Sequence, residues 1–266
     1  MAKVLSQGLS LSQRIALLRG TYWLSGLFAV VLVLAGCVHS TQKATTPAIA
    51  QTRLQLGLAY LAHNNLDSAR QNLEKAVAIA PQDYRTQLGM ALYEHRIGEN
   101  RLAEQRYQHV LKMVPENGSV MNNYGAFLCG LGQYVAAQRQ FSAAAQLPDY
   151  SQVADALENA GYCFFNAGQT ENARNLLNRA LKYDPTKGSA LLAEANKQFD
   201  AGKHQQARLL LDVYQHRLPA SAESLWLQIR FAALAGHDGD KERYGNVLAR
   251  SFPQSKQYQH FLANEY

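Results

Sequence analysis

GYCFFNAGQTENARNLLNRALKYDP, residues 161–185, holds two short helical patterns joined by a glycine turn and closed by a proline. Apolar residues recur at helical spacing on both sides of Gly168-Gln169. Gly161 lies twelve residues before Ala173, Leu177 follows four residues later, and Pro185 eight after that. The same order recurs along the chain. Gly57, Ala69, Leu73 and Pro81 form one set; Ala91, Ala103, Tyr107 and Pro115 form the next. Gly125, Ala137, Phe141 and Pro148 precede the quoted stretch, and Ala195, Ala207, Leu211 and Pro219 come after it. Prolines from 81 to 253 are separated by 34, 33, 37, 34 and 34 residues. A fixed period of this size marks stacked repeats.

Two antiparallel helices per unit account for the pattern. The small residue of the first helix and the alanine of the second mark their closest approach. A larger side chain there pushes the axes beyond their usual separation of about 8–10 Å. The large residue one turn later is expected to fill the gap toward the next unit. Proline lacks a backbone donor, so it ends one helix and starts the next. Polar or glycine-bearing turns join the two helices at His63-Asn64-Asn65, Gly98-Glu99-Asn100, Gly132-Gln133 and Gly202-Lys203. This is the tetratricopeptide pattern. The expected fold over residues 51–266 is all-α: a tetratricopeptide-repeat right-handed superhelix, an α-solenoid of about six helix pairs plus a C-terminal helix. In the sixth unit Ile229, Lys241 and Gly245 occupy the three signature positions, and Gly236-His237-Asp238-Gly239-Asp240 reads as a longer turn. Terminal repeats depart from consensus because they cap the stack. Residues 222–252 therefore read as a degenerate pair and 254–266 as a closing helix.

The leading segment has its own signature. Residues 1–19 carry Lys3, Arg14 and Arg19, and no acid precedes Cys37. Leu24 to Leu34, LSGLFAVVLVL, is apolar, and Leu34-Ala35-Gly36-Cys37 follows. A basic region, a short apolar core and small residues before a cysteine read as a signal peptide over 1–36. The core is shorter than the roughly 20 residues that span a bilayer. The motif resembles the bacterial lipobox, which implies lipidation of Cys37, cleavage before it, and membrane attachment through the lipid anchor. An uncleaved single-span anchor is the alternative. Val38 rather than aspartate follows the cysteine, which points to the outer membrane, periplasmic face. Residues 37–50, rich in Ser, Thr and Ala, read as a flexible tether.

Composition narrows the function. The net charge is +6, three charges of which precede Cys37, and there is no basic run. Nucleic acid is not an expected partner. Eight histidines lack metal-ligand spacing, and no phosphate loop or nucleophile elbow appears after Cys37. No catalytic residue, cofactor, metal or small-molecule substrate is expected, so the chain reads as a binding protein and not an enzyme. First helices of a solenoid line its concave face. In the common register that face carries Leu54, Leu58, Leu61, Leu88, Leu92 and His95 at one end, and Tyr162, Phe165 and Phe199 further along. An apolar groove there suits a segment of another protein; packing between neighbouring helices is the competing role for each leucine. Leu54 and Leu58 stand where a carboxylate clamp needs Lys and Asn, so no such clamp is expected. Cys129 and Cys163 lie on adjacent first helices two register positions apart, and two buried free thiols are expected.

Three stretches carry a more specific resemblance: NNYGAFLC at 122–129, GYCFFNAGQTENARNLLNRAL at 161–181, and YGNVLARSFPQSKQY at 244–258, with Phe261 beyond. The chain resembles the type IV pilus biogenesis lipoprotein family (PilF/PilW), a group of secretin pilotins. The resemblance implies attachment to the outer membrane and binding of a pilus secretin subunit, helping it reach that membrane and form its ring. A lipoprotein scaffold for cell-wall synthases or hydrolases, built on similar repeats, is the alternative.

Overall fold

The structure, a computed structural model, describes residues 46–266. The signal sequence and Cys37 lie outside the described residues. Thirteen α-helices and one short 3-10 turn follow one another, with no strand among the described residues. They pair in order: α1 (Thr46–Ala62) with α2 (Leu66–Ile79), α3 (Tyr84–Arg96) with α4 (Asn100–Met113), and α5 (Gly118–Gly130) with α6 (Tyr134–Gln146). Next come α7 (Val153–Asn166) with α8 (Thr170–Tyr183), α9 (Gly188–Asp200) with α10 (His204–Arg217), and α11 (Ala222–Leu234) with α12 (Asp238–Ser251). A last helix, α13 (Lys256–Leu262), closes the stack against α11 and α12. This is the tetratricopeptide-repeat superhelix. Its first helix begins at Thr46, so the last five residues of the 37–50 stretch are helical, and Ala50 is already buried.

Local chemistry sets the helix ends. Asn65, Asp83 and Asn117 accept hydrogen bonds from the backbone N–H of Ser68, Arg85 and Val120, satisfying donors that a helix start leaves orphaned. Ser221 and Ser224 form a reciprocal capping box on α11. Between paired helices the backbone turns through a left-handed residue, Asn64 in the first unit and glycine at 98, 132, 168, 202 and 236. Side chains other than Asn disfavour that conformation, which explains the recurring glycine.

Ala69, Ala103, Ala137, Ala173 and Ala207 are fully buried where the paired helices meet. The large residue makes two contacts, one within its unit and one toward the next. A Cβ on Gly57 would lie 2.6 Å from the Leu73 side chain, one on Gly125 2.8 Å from Phe141, and one on Gly161 2.8 Å from Leu177. The large side chain therefore lies over the small residue of its own unit, and it also fills the gap to the next: Tyr107 stacks on Tyr124 at 5.4 Å and meets Phe127 at 5.1 Å. Leu73 likewise approaches Gly89 on α3.

The sixth unit inverts these volumes. Ile229 is fully buried at the small position, and Gly245 takes the large one. The space left open at Gly245 is taken by the ring of Phe261 from α13, which a Cβ would strike. The turn before α12 is not longer than the others. Gly236 turns the chain and helix begins at Asp238, as it begins two residues after Gly98 or Gly168. Asp238 and Asp240 in its first turn favour helix there, because carboxylates stabilise the positive end of the helix dipole. Restoring consensus with Gly245→Leu should destabilise the sixth unit by about 1–3 kcal/mol through overpacking. It should also speed amide exchange at residues 256–262, which hydrogen exchange with mass spectrometry would read; unchanged exchange there would refute the role given to Phe261.

Cys129 and Cys163 are joined in a disulfide, with Cα atoms 5.8 Å apart. This corrects the expectation of free thiols. Two register positions turn a helical side chain by about 200°. Side chains that meet between neighbouring parallel helices must point in nearly opposite directions, so the offset brings the sulfurs together instead of separating them.

Candidate functional site

The residues expected to line the groove fall into two groups. Leu54 and Leu61 are 4% and 7% exposed and belong to the core between the first two units. They are corrected from groove to core. Gly89 on α3 gives the reason for Leu54: with no Cβ there, the leucine side chain fills the helix interface. Leu58, Leu88 and Leu92 remain half-buried on α1 and α3, packed at the edges of the same clusters. Tyr162, Phe165 and Phe199 are half-buried against the core of the fourth to sixth units. Phe199 is covered further, with the Arg230 guanidinium 4.1 Å above its ring and Phe231 edge-on at 4.8 Å. His95 stands edge-on to Phe127 at 5.0 Å. The structure thus keeps an apolar stripe at one end and separates it from the aromatic residues by a polar stretch.

That polar stretch was not anticipated. The Nδ2 of Asn159 on α7 donates to the Oδ1 of Asn122 on α5 at 3.0 Å, tying two first helices together. Lys187, from the turn before α9, reaches back to Asp155 at 2.5 Å and Glu158 at 2.7 Å. Burial works against the Lys187 charge, but the two carboxylates outweigh it and hold its pKa above the ordinary lysine value. Burial, aided by Glu158 and Glu194, pushes the Tyr162 phenol well above its usual range, so it stays a neutral hydrogen-bond donor. Arg230 on α11 donates to Asp200 and Asn196 on α9, at 2.5 and 3.3 Å. The signal was present in the register. The position after each small residue reads Leu58, Leu92, Ala126, Tyr162, Asn196, Arg230, a passage from apolar to polar along the stack.

Such a face has the chemistry of a polypeptide site. Half-buried leucines accept apolar side chains, and each asparagine amide carries a donor and an acceptor that match a peptide unit. Among the described residues no cluster of His, Cys, Asp and Glu could hold a metal ion, and no helix is long and apolar enough to cross a membrane.

Repeats, caps and paired helices define a class, and models of the tetratricopeptide repeat match residues 50–83, 128–190 and 164–226. The chain belongs to the tetratricopeptide-repeat proteins, whose stacked helices bind other proteins. Within that class it is similar to the type IV pilus assembly protein PilF of Pseudomonas aeruginosa, at 28% identity over 246 residues, 90% of this chain and 97% of that one. A solved structure of Pseudomonas aeruginosa PilF superposes with a TM-score of 0.55, covering 81% of this chain and 97% of the other. PilW, described as a widely conserved type IV pilus biogenesis factor, matches with a TM-score of 0.55 at 26% identity, covering 80% and 98%.

Proposed function

We propose that this chain is a lipid-anchored, non-catalytic factor of type IV pilus biogenesis that serves the pilus secretin as its pilotin. The observation that carries the reading is similarity to PilF along nearly the whole of both chains, which is more than a shared repeat. The cysteines support export. A disulfide such as Cys129–Cys163 persists in an oxidising compartment, and it leaves Cys37 as the cysteine outside the bridge, placed in a lipobox. Lipid on Cys37 and on the new N-terminus gives the two or more chains that stable anchoring needs. The anchor delivers the protein, with bound secretin subunit, to the inner leaflet of the outer membrane. Leu58, Leu88 and Leu92 hold an apolar secretin segment, and Asn122, Asn159 and Tyr162 bind its backbone, until the ring forms.

The test is deletion followed by complementation with wild-type chain or Cys37→Ala. Heat-resistant secretin multimers are read on gels, with membrane fractionation and twitching. The expected result for Cys37→Ala is secretin monomer left in the inner membrane and lost twitching. Normal rings in the outer membrane of that mutant would remove the delivery step. Co-purification of cell-wall synthases or hydrolases in place of a secretin would replace the whole reading with that of a wall scaffold.

A further inference from the structure

The second helices, with Phe164 of α7, carry a surface that the inward face does not use. Phe164, half-buried near the end of α7, is shared by two open cavities. One, of about 600 Å³, runs along α6 past Tyr134, Val135 and Ala143. On its α6 side Val135 is 71% exposed. The other, of about 650 Å³, lies along α8 and reaches the end of α10, where Arg174, Arg179, His216 and Arg217 line it. Glu171 is the acid in that lining, and it stands 3.7 Å from Arg174, as does Asp212. Arg179 and Arg217 form no ion pair among the described residues, and neither does Arg139 beside the first cavity.

An apolar half and a cationic half meeting at one aromatic ring are complementary to a chain with an apolar anchor beside carboxylates. Guanidinium groups bind carboxylates through paired N–H donors, and complementary charge selects the partner and speeds encounter. We propose that this outer groove docks an acidic segment of a protein partner. Its apolar anchor lies against Phe164 and Val135, and its carboxylates sit on Arg179 and Arg217. The groove lies on α6, α8 and the end of α10 with Phe164 of α7 between them, two residues and so about 200° around that helix from Tyr162 of the inward face, and the repeat stack can therefore hold two partners at once.

The probe is a random twelve-residue peptide library displayed on phage, selected on the full chain in detergent micelles. Selected peptides are then measured by fluorescence anisotropy. The proposal expects sequences rich in Asp and Glu with one or two aromatic or aliphatic anchors. Arg179→Glu with Arg217→Glu, and separately Val135→Glu, should each weaken binding at least about ten-fold. Asn122→Leu on the inward face should leave it within about two-fold, whatever becomes of secretin binding, since distant sites act independently. Raising salt from roughly 50 to 300 mM should weaken it, because the Debye length shrinks. Selection without acidic enrichment, or peptides indifferent to the arginine reversals, would overturn the proposal. So would self-association of the chain abolished by those reversals, which would make a second copy the occupant. Reversal-sensitive binding to phosphatidylglycerol vesicles with no acidic peptide selected would overturn it in favour of a membrane surface.

Discussion

Arg106→Met should destabilise the second unit by about 3 kcal/mol, a loss expected when one partner of a buried ion pair is removed. Arg106 on α4 grips Glu94 on α3 through the Nε–Nη2 edge of its guanidinium, at 2.7 to 3.1 Å, and its Nη1 donates to the Oε1 of Gln87 at 2.5 Å. Glu94 is 4% exposed and Gln87 8%, so neither can turn to water when the guanidinium goes. Gln87 in turn donates to the carbonyl of Pro81 at 2.8 Å, which ties the pair to the turn between the first two units. Arg106 itself keeps about a quarter of its side chain exposed, which places the cost at the lower end of the range for such pairs. The fourth unit shows the apolar solution, with Phe164 and Leu176 at the positions that Glu94 and Arg106 hold in the second. Glu94→Leu combined with Arg106→Met should therefore recover most of the loss, since replacing both charges is close to neutral. Urea unfolding of the four proteins gives the coupling energy directly. A double variant as unstable as Arg106→Met alone would show that the pair contributes through packing and not through charge.

The fold was legible because every element of the pattern answers a local constraint. Alanine at 69, 103, 137, 173 and 207 answers helix approach, glycine at the turns answers a left-handed backbone, and proline answers the missing donor. These constraints act within one unit and repeat. What was misread lies between units. Helical spacing identifies an apolar stripe but not the neighbour that covers it, so Leu54 and Leu61 were indistinguishable from Leu58 until Gly89 on the next first helix was seen to receive Leu54. The polar ties from Asn159 to Asn122 and from Lys187 to Asp155 and Glu158 span 29 to 37 residues and follow no local pattern. In the sixth unit a large residue at 229 and glycine at 245 looked like decay of the consensus. Their meaning depends on Phe261, sixteen residues further on, which occupies the space that glycine leaves.

Reduction of the Cys129–Cys163 bridge should cost about 3–4 kcal/mol, the amount expected for opening a loop of this length in the unfolded chain. The sequence separation is 34 residues, one repeat, so the bridge joins the third unit to the fourth. Repeat stacks hold together by intrinsic unit stability plus nearest-neighbour interfaces, and their ends and joints open separately. The loss should therefore concentrate in α5 to α8. Faster amide exchange is expected over residues 118–183 with little change in α1 to α4. Comparing oxidised with reduced wild type keeps both sulfurs in place and isolates the covalent link. Cys129→Ala with Cys163→Ala adds a packing loss, because Cys163 is only 1% exposed, and should unfold at lower urea than the reduced protein. The same joint carries Asn122, Asn159 and Tyr162, whose spacing depends on how α5 sits against α7. Reduction should thus weaken binding on the inward face as well as stability. If urea midpoints and exchange at residues 118–183 are the same with and without reductant, the third and fourth units are held by their apolar contacts alone. The inward face then owes nothing of its geometry to the bridge.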